Sequence, residues 1–346
     1  MNKISSLLTA SLTIVALASS SSLLAQSSSV ADFYRDNTVQ VLVGYSPGGG
    51  YDTYARVLAR HIGKHIPGNP NIVVRNVPGA GSLVLMNQLA NTLPADGTAF
   101  GTVNSGMAYE PLFGNEQAQF NTLEMNWIGN LNVEVALGIA RSDSGISDIR
   151  DLRNSSISMG STGAGAQSNF MPRILAELFD LNVSVVSGYP GASEVNLAME
   201  RGEVQGVGTL LLSTVARGNP EWLQPGSDYN LIYQIASEAH ELTSNVTLAH
   251  ELAETEEQRQ VLDLLVATLT MGRPFVAPPG VPQERVDALR QAMADTANDP
   301  EFVNELVNTQ RLMLGFVHGA EMQDYFADVY QTPQNIVDFV VNAMNR

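Results

Sequence analysis

Residues 41–58, VLVGYSPGGGYDTYARVL, run from an apolar strand through a glycine loop into a helix. The helical reading rests on Tyr54, Leu58, Ile62 and Ile66, which recur four apart and give one apolar stripe to pack on a sheet, over about 52–66. The scheme restarts at residues 155–179, SSISMGSTGAGAQSNFMPRILAELF, where Pro172 is read as falling in a first helical turn, which needs no N–H there. It returns at 184–208, SVVSGYPGASEVNLAMERGEVQGVG, with Ser193 as a helix N-cap and Gly202 as the helix stop. Between these units lie strand-like NIVVRN and AFGTVNS and helical GSLVLMNQLAN, an α/β pattern with parallel pairing. Ligands in open α/β sheets sit at the carboxyl ends of the strands, so two such units facing each other make a cleft walled by helix N-termini. After residue 236 the chain turns helix-rich and starts no further glycine-loop unit. That segment is expected to return to the first lobe.

The bulk properties agree with two lobes. The chain has 346 residues, 44% of them apolar and 15% charged, which suits ordinary buried cores. Lys3, the apolar run from Leu7 to Ala18 and a Ser-rich stretch give residues 1–26 the layout of a secretory leader, with cleavage after Ala18 or Ala25. The run is too short to span ~30 Å of hydrocarbon. No cysteine occurs, which excludes thiol catalysis, thiolate metal sites, disulfides and a lipid anchor on cysteine. Eighteen Lys and Arg against 35 Asp and Glu give a net charge of -17, which repels nucleic acid and anionic membranes. An anion site must then be made locally, from backbone N–H groups or a few basic side chains.

Chemical motifs narrow the reading by failing. Gly44, Ser46 and Gly48 fit the G-x-S-x-G of a serine hydrolase, but the oxyanion hole of that elbow needs the N–H after the serine, and Pro47 has none. Losing one oxyanion donor costs roughly 3 kcal/mol of transition-state stabilisation. Neither Gly48–Gly50 nor Gly160–Gly165 continues into the Gly-Lys-Ser/Thr of a phosphate loop, and no loop completes G-x-G-x-x-G. His61 and His65 lie four apart without a glutamate base or a third ligand nearby, so no metal and no cofactor is expected. Binding survives: a helix N-terminus leaves about four N–H groups without intrahelical acceptors and carries roughly half a positive charge, the natural seat of a carboxylate.

The loops taken in order carry a resemblance. Tyr45, Pro47, Gly48, Gly49 and Asp52 form an aromatic followed by Pro-Gly-Gly-x-x-Asp; Asn76 to Gly81 read Asn-x-Pro-Gly-Ala-Gly, and Pro94 to Gly97 read Pro-x-Asp-Gly. Gly160, Ser161, Gly163 and Gly165, then Tyr189, Gly191, Gly202 and Val204, and lastly Phe275 to Pro282 complete the series. Over nearly the whole mature length the chain resembles the extracytoplasmic solute receptors of tripartite tricarboxylate transporters, the Bug family. It departs from that pattern at Ala166 for Ser, Asn169 for His, Pro190 for Lys and Gln205 for Asp, positions that border the expected cleft.

The resemblance implies an α/β, two-lobed periplasmic-binding-protein fold of type II, each lobe a parallel-rich sheet flanked by helices. It implies residues 27–138 plus 236–346 in lobe 1 and 139–235 in lobe 2. A carboxylate ligand is expected between them. Tyr45, Gly49, Gly50, Tyr51 and Asp52 would form the first wall, with Ser46 a loop residue beside the ligand and Asp52 tying the loop down. Ser161, Gly163, Gly165, Ala166 and Gln167 would form the second, Tyr189 and Gly191 would close one end, and Ser105 and Thr209 follow from their places after strands. The implied protein is a periplasmic monomer that catalyses nothing and delivers a small carboxylate to the membrane permease subunits of a tripartite transporter. A ligand sensor for a membrane signalling partner is the alternative of another class. Dicarboxylate, aromatic acid and amino acid all stay open as ligands.

Overall fold

The computed structural model describes residues 30–163 and 165–344, so the leader expected over residues 1–26 lies outside the described part. Among the described residues no helix is long and apolar enough to cross a membrane. The chain begins a first sheet with β1 (Val39–Val43), α1 (Gly50–His61), β2 (Ile72–Asn76), α2 (Leu83–Asn91), β3 (Ala99–Thr102) and β4 (Asn126–Asn130). It then crosses to a second sheet through β5 (Ala136–Arg141), β6 (Ile157–Ser161), α3 (Gln167–Phe179), β7 (Val183–Ser187), α4 (Ala192–Glu200), β8 (Gly206–Leu211), α5 (Leu212–Gly218) and β9 (Tyr229–Ile235). It returns through α6 (Glu256–Thr270), β10 (Pro274–Ala277), α7 (Gln283–Ala297), β11 (Val317–His318), α8 (Gly319–Val329) and α9 (Gln334–Met344).

Both sheets are mixed, with strand orders β11-β4-β10-β3-β1-β2 and β7-β6-β8-β5-β9. The parallel parts, β2-β1-β3 and β7-β6-β8, are those whose strands are joined by helices, because a parallel return needs a crossover of that length. β5 and β10 are the strands that arrive from the other sheet. No βαβ return constrains their direction, and both pair antiparallel with their neighbours.

The apolar stripe of α1 does what its spacing implies: Tyr54, Leu58, Ile62 and Ile66 are all buried, with Val39, Val41 and Val43 of β1 in the same core. The α-helix itself stops at His61 and tightens into a 3₁₀ turn over Ile62–Lys64. Truncating Leu58 to Ala would cost about 2–5 kcal/mol, since a fully buried leucine leaves a cavity as well as lost transfer energy.

Four sequence expectations change. Ser193 is not the cap of α4; Gly191 is, and Ser193 lies inside the helix. Pro172 sits beyond the first turn of α3, buried where β8 carries Gly208, whose missing side chain leaves room for the proline ring. A lobe boundary between 138 and 139 would cut β5. Residues 236–346 do not return wholly to the first sheet, because α9 packs on α3 of the second. Gly202 does end α4, at φ +75°, a left-handed conformation that glycine adopts without a Cβ penalty.

Candidate functional site

The glycine loop after β1 is held by one carboxylate. Asp52 accepts from the Gly48 N–H at 2.9 Å, from Arg56 Nε at 2.9 Å and from Asn76 Nδ2 at 2.9 Å, while Asn76 also donates to the Tyr45 carbonyl. Burial works to raise the Asp52 pKa, but Arg56, the Gly48 N–H and Asn76 outweigh it and hold the group below the usual carboxylate range. The loop is therefore fixed from behind, with its backbone presented forward.

In front of it lies a chamber between the two sheets with a volume of about 70 Å³. Four helices start at its wall: α1 at Gly49 and Gly50, α3 at Gln167 and Ser168, α4 at Gly191 and Ala192, and the short α5 at Leu211, whose first N–H groups are taken by the Val135 carbonyl and Glu134. The N-cap residues of α1, α3 and α4 are Gly49, Ala166 and Gly191, and none gives a side-chain cap. Apart from the Asn169 N–H, which donates to the Ala166 carbonyl, the first-turn N–H groups of these three, which an α-helix cannot satisfy internally, are left for whatever occupies the chamber.

Aromatic and polar groups shape the first-lobe side. Tyr45 and Tyr51 stack at 4.9 Å between ring centroids, and burial pushes both phenol pKa values up, so both stay neutral. Asn104 donates to the Tyr45 hydroxyl at 2.9 Å and caps its own turn by accepting from the Gly106 N–H. Arg273, 1% exposed, also lines the chamber. Its Nη2 lies 3.0 Å from Glu134 Oε1, 2.7 Å from Ser213 Oγ and 3.0 Å from Thr214 Oγ1, and its guanidinium lies over the rings of Tyr51 and Tyr54. Gly50 admits this cluster, since a Cβ there would lie 2.5 Å from Thr214 Oγ1 and 2.8 Å from Arg273 Nη2.

The two lobes touch across the chamber. Ser46 Oγ donates to Glu194 Oε2 at 3.0 Å, and a Cβ on Gly163 would lie 2.5 Å from the Gly81 nitrogen. The structure is thus of a closed cleft.

Of the residues anticipated from sequence, Tyr45, Ser46, Gly49, Gly50, Tyr51, Gln167, Gly191 and Thr209 line the chamber. Asp52 stands behind the loop, Gly163 and Tyr189 line a crevice at the seam of the lobes, and Gly165 lies against Glu110. Ser105, Ser161 and Ala166 are buried outside the lining, each next in sequence to a lining residue, Asn104, Thr162 or Gln167. The side chains missed are chiefly Arg273, Thr214, Ser168 and the apolar group Val195, Val207, Leu210 and Leu211. Asn104 had a local signal, an Asx cap two residues before Gly106. Arg273 had none, for its partner Glu134 is far away in sequence.

The hydrolase geometry is missing as well. The hydrogen-bond partner of Ser46 is a carboxylate, and the histidines are engaged elsewhere: His61 with Glu305, His65 with Asp299, His250 with Asp263, and His240 and His318 as helix caps. Folding does bring Asp299 and Glu301 near His61, more carboxylates than the sequence spacing offered. Lys64 already lies 2.6 Å from both, so a cation of the chain itself balances them.

A family model described as the NMT1-like family matches residues 45–217, which span the glycine loops and the starts of α1, α3 and α4. The chain belongs to the NMT1-like family. It is 25% identical over 297 residues to a UPF0065 protein of Bordetella pertussis, covering 83% of this chain and 84% of that protein. Among solved structures it is similar to the periplasmic binding protein BugD, at 20% identity and TM-score 0.69 over 89% of this chain and 98% of that one. It is similar also to MatC of Rhodopseudomonas palustris, solved with bound malate, at 16% identity and TM-score 0.69 over 88% of this chain and 99% of that one. The two-lobed binding-protein fold and the resemblance to Bug-family receptors drawn from the loops both hold.

Proposed function

We propose that this protein is an extracytoplasmic receptor that captures a small carboxylate between its lobes and hands it to the membrane permease of a tripartite tricarboxylate-type transporter. The observation that carries this reading is the convergence of three helix N-termini, at Gly49, Ala166 and Gly191, on one closed chamber, with caps that supply no acceptor of their own. Each such end favours a negative charge by about 0.3–1 kcal/mol when exposed and up to ~2 kcal/mol when partly buried. Together they replace the positive charge that the chain, at -17, does not supply in bulk. The fold of periplasmic binding proteins and the leader-like residues 1–26 support export. The absence of an N–H at Pro47 and the Ser46–Glu194 pairing argue against hydrolysis, so the chamber holds its guest without reacting with it.

The test is a thermal-shift screen of protein stripped by denaturation and refolding, against small carboxylates and their amides. A ligand at 100 times its Kd stabilises by about 2.7 kcal/mol, several degrees of melting temperature. A shift with an acid and none with its amide is the expected result. Equal shifts with both, or none across the acids, would sink the carboxylate reading.

A further inference from the structure

The walls of the chamber differ in kind, and the difference bears on the guest. On the second-lobe side, beyond the starts of α3 and α4, the lining is apolar: Val195, Val207, Leu210 and Leu211. All four are buried and belong to the second sheet or the helix packed on it, so they form a fixed surface and not a mobile fringe. Arg273 is the one charged side chain among the described residues lining the chamber, and its charge is already matched by Glu134, itself 0% exposed, at 3.0 Å. Where the lobes meet, the nearest charge is again negative, since Ser46 holds Glu194 at 3.0 Å. The charged side chains close about the chamber therefore balance to no surplus cation.

Resting on the carboxylate reading above, we propose that the ligand is a monocarboxylate with an uncharged, apolar body. Its single carboxylate takes the helix N-terminal N–H groups, and its body lies on Val195, Val207, Leu210 and Leu211. A second carboxylate would be enclosed with apolar side chains and no free counter-charge, the circumstance in which a buried ion is most costly. Arg217 is the nearest candidate to oppose this. It lines an outer crevice that shares Gly49, Ala192 and Thr214 with the chamber, but Glu200 lines that crevice too and offsets its charge there.

The experiment is calorimetric titration of the stripped, full-length mature protein with straight-chain monocarboxylates of increasing length. Each is set against the dicarboxylate of equal chain length, with wild type and Arg217→Gln compared in parallel. The monocarboxylates should bind at least tenfold more tightly than their diacid counterparts, gain about fourfold per added methylene until the chamber is full, and be unaffected by Arg217→Gln. Diacids that bind as tightly or better overturn the proposal while leaving the carboxylate reading intact; a loss of that binding in Arg217→Gln would place the second charge in the outer crevice. If neither series binds, the carboxylate reading itself fails, and this inference with it.

Discussion

Three helices that start at the chamber and two that start at the periphery, α6 and α8, begin in different ways. α6 begins with a capping box in which the Thr255 side chain accepts from the Gln258 N–H while Gln258 reaches back to the Thr255 N–H, and α8 begins with His318 accepting from Ala320. α7 lacks a side-chain cap, but it starts at exposed Gln283, where water can serve. At the chamber, α1, α3 and α4 begin with Gly49, Ala166 and Gly191, which bring no acceptor and are closed off from bulk solvent in part. A side-chain cap contributes typically about 1 kcal/mol. α6 and α8 keep that stabilisation in the ligand-free fold, while α1, α3 and α4 leave it to be supplied on binding.

This contrast can be attacked from several sides. The largest effect is expected from Gly163→Val, whose side chain would collide with the Gly81 backbone and hold the lobes apart. Overpacking of about 1–3 kcal/mol should weaken ligand binding some 5- to 150-fold by calorimetry, with the ligand-free melting temperature little changed. Next comes Gly49→Asp. Position 49 has φ -75°, and a Cβ there meets nothing within 4 Å, so aspartate can be accommodated and cap α1 from inside the chamber. Ligand-free stability should rise by about 1 kcal/mol in denaturant titration, and affinity for a carboxylate should fall at least about tenfold because the site then carries its own anion. Unchanged affinity would show that the α1 N-terminus does not hold the ligand. Thr255→Ala should do the reverse at the periphery, losing about 1 kcal/mol of stability with affinity unaltered.

The smallest effect concerns acid. The Asp52 carboxyl is held below its ordinary value of 3.8, so its contribution is complete above that pH and is lost as pH falls through the lower, folded-state value. Asp52→Asn should flatten the melting temperature against pH below about 3.8 relative to wild type, and cost stability at neutral pH. A wild-type profile that stays flat through that range would show that the loop is fixed by other contacts.

Much of the fold was legible because strand-loop-helix units are local: the β1-α1 and β6-α3 units could each be read from under thirty consecutive residues. The mixed pairing of β5 and β10 could not, since it depends on which strands arrive from the other sheet. The candidate site divides the same way. Gly49, Gly50, Gln167 and Gly191 were readable from the loops that contain them, whereas Arg273, Glu134 and Thr214 meet only after the chain has crossed twice. Pro172 and Ser193 show a finer failure, in which the residue type was informative and its place in the turn was off by a few positions.

The final helix has a mechanical consequence. Two plates joined by a pair of adjacent straps can fold together and also skew sideways. The segments between β4 and β5, and between β9 and β10, are such straps, and α9 adds a third, running from α8 on the first plate to a grip on α3 of the second. This third tie is made of side-chain packing and not of continuous chain, so the tail couples any movement between the plates to the grip of α9 on α3.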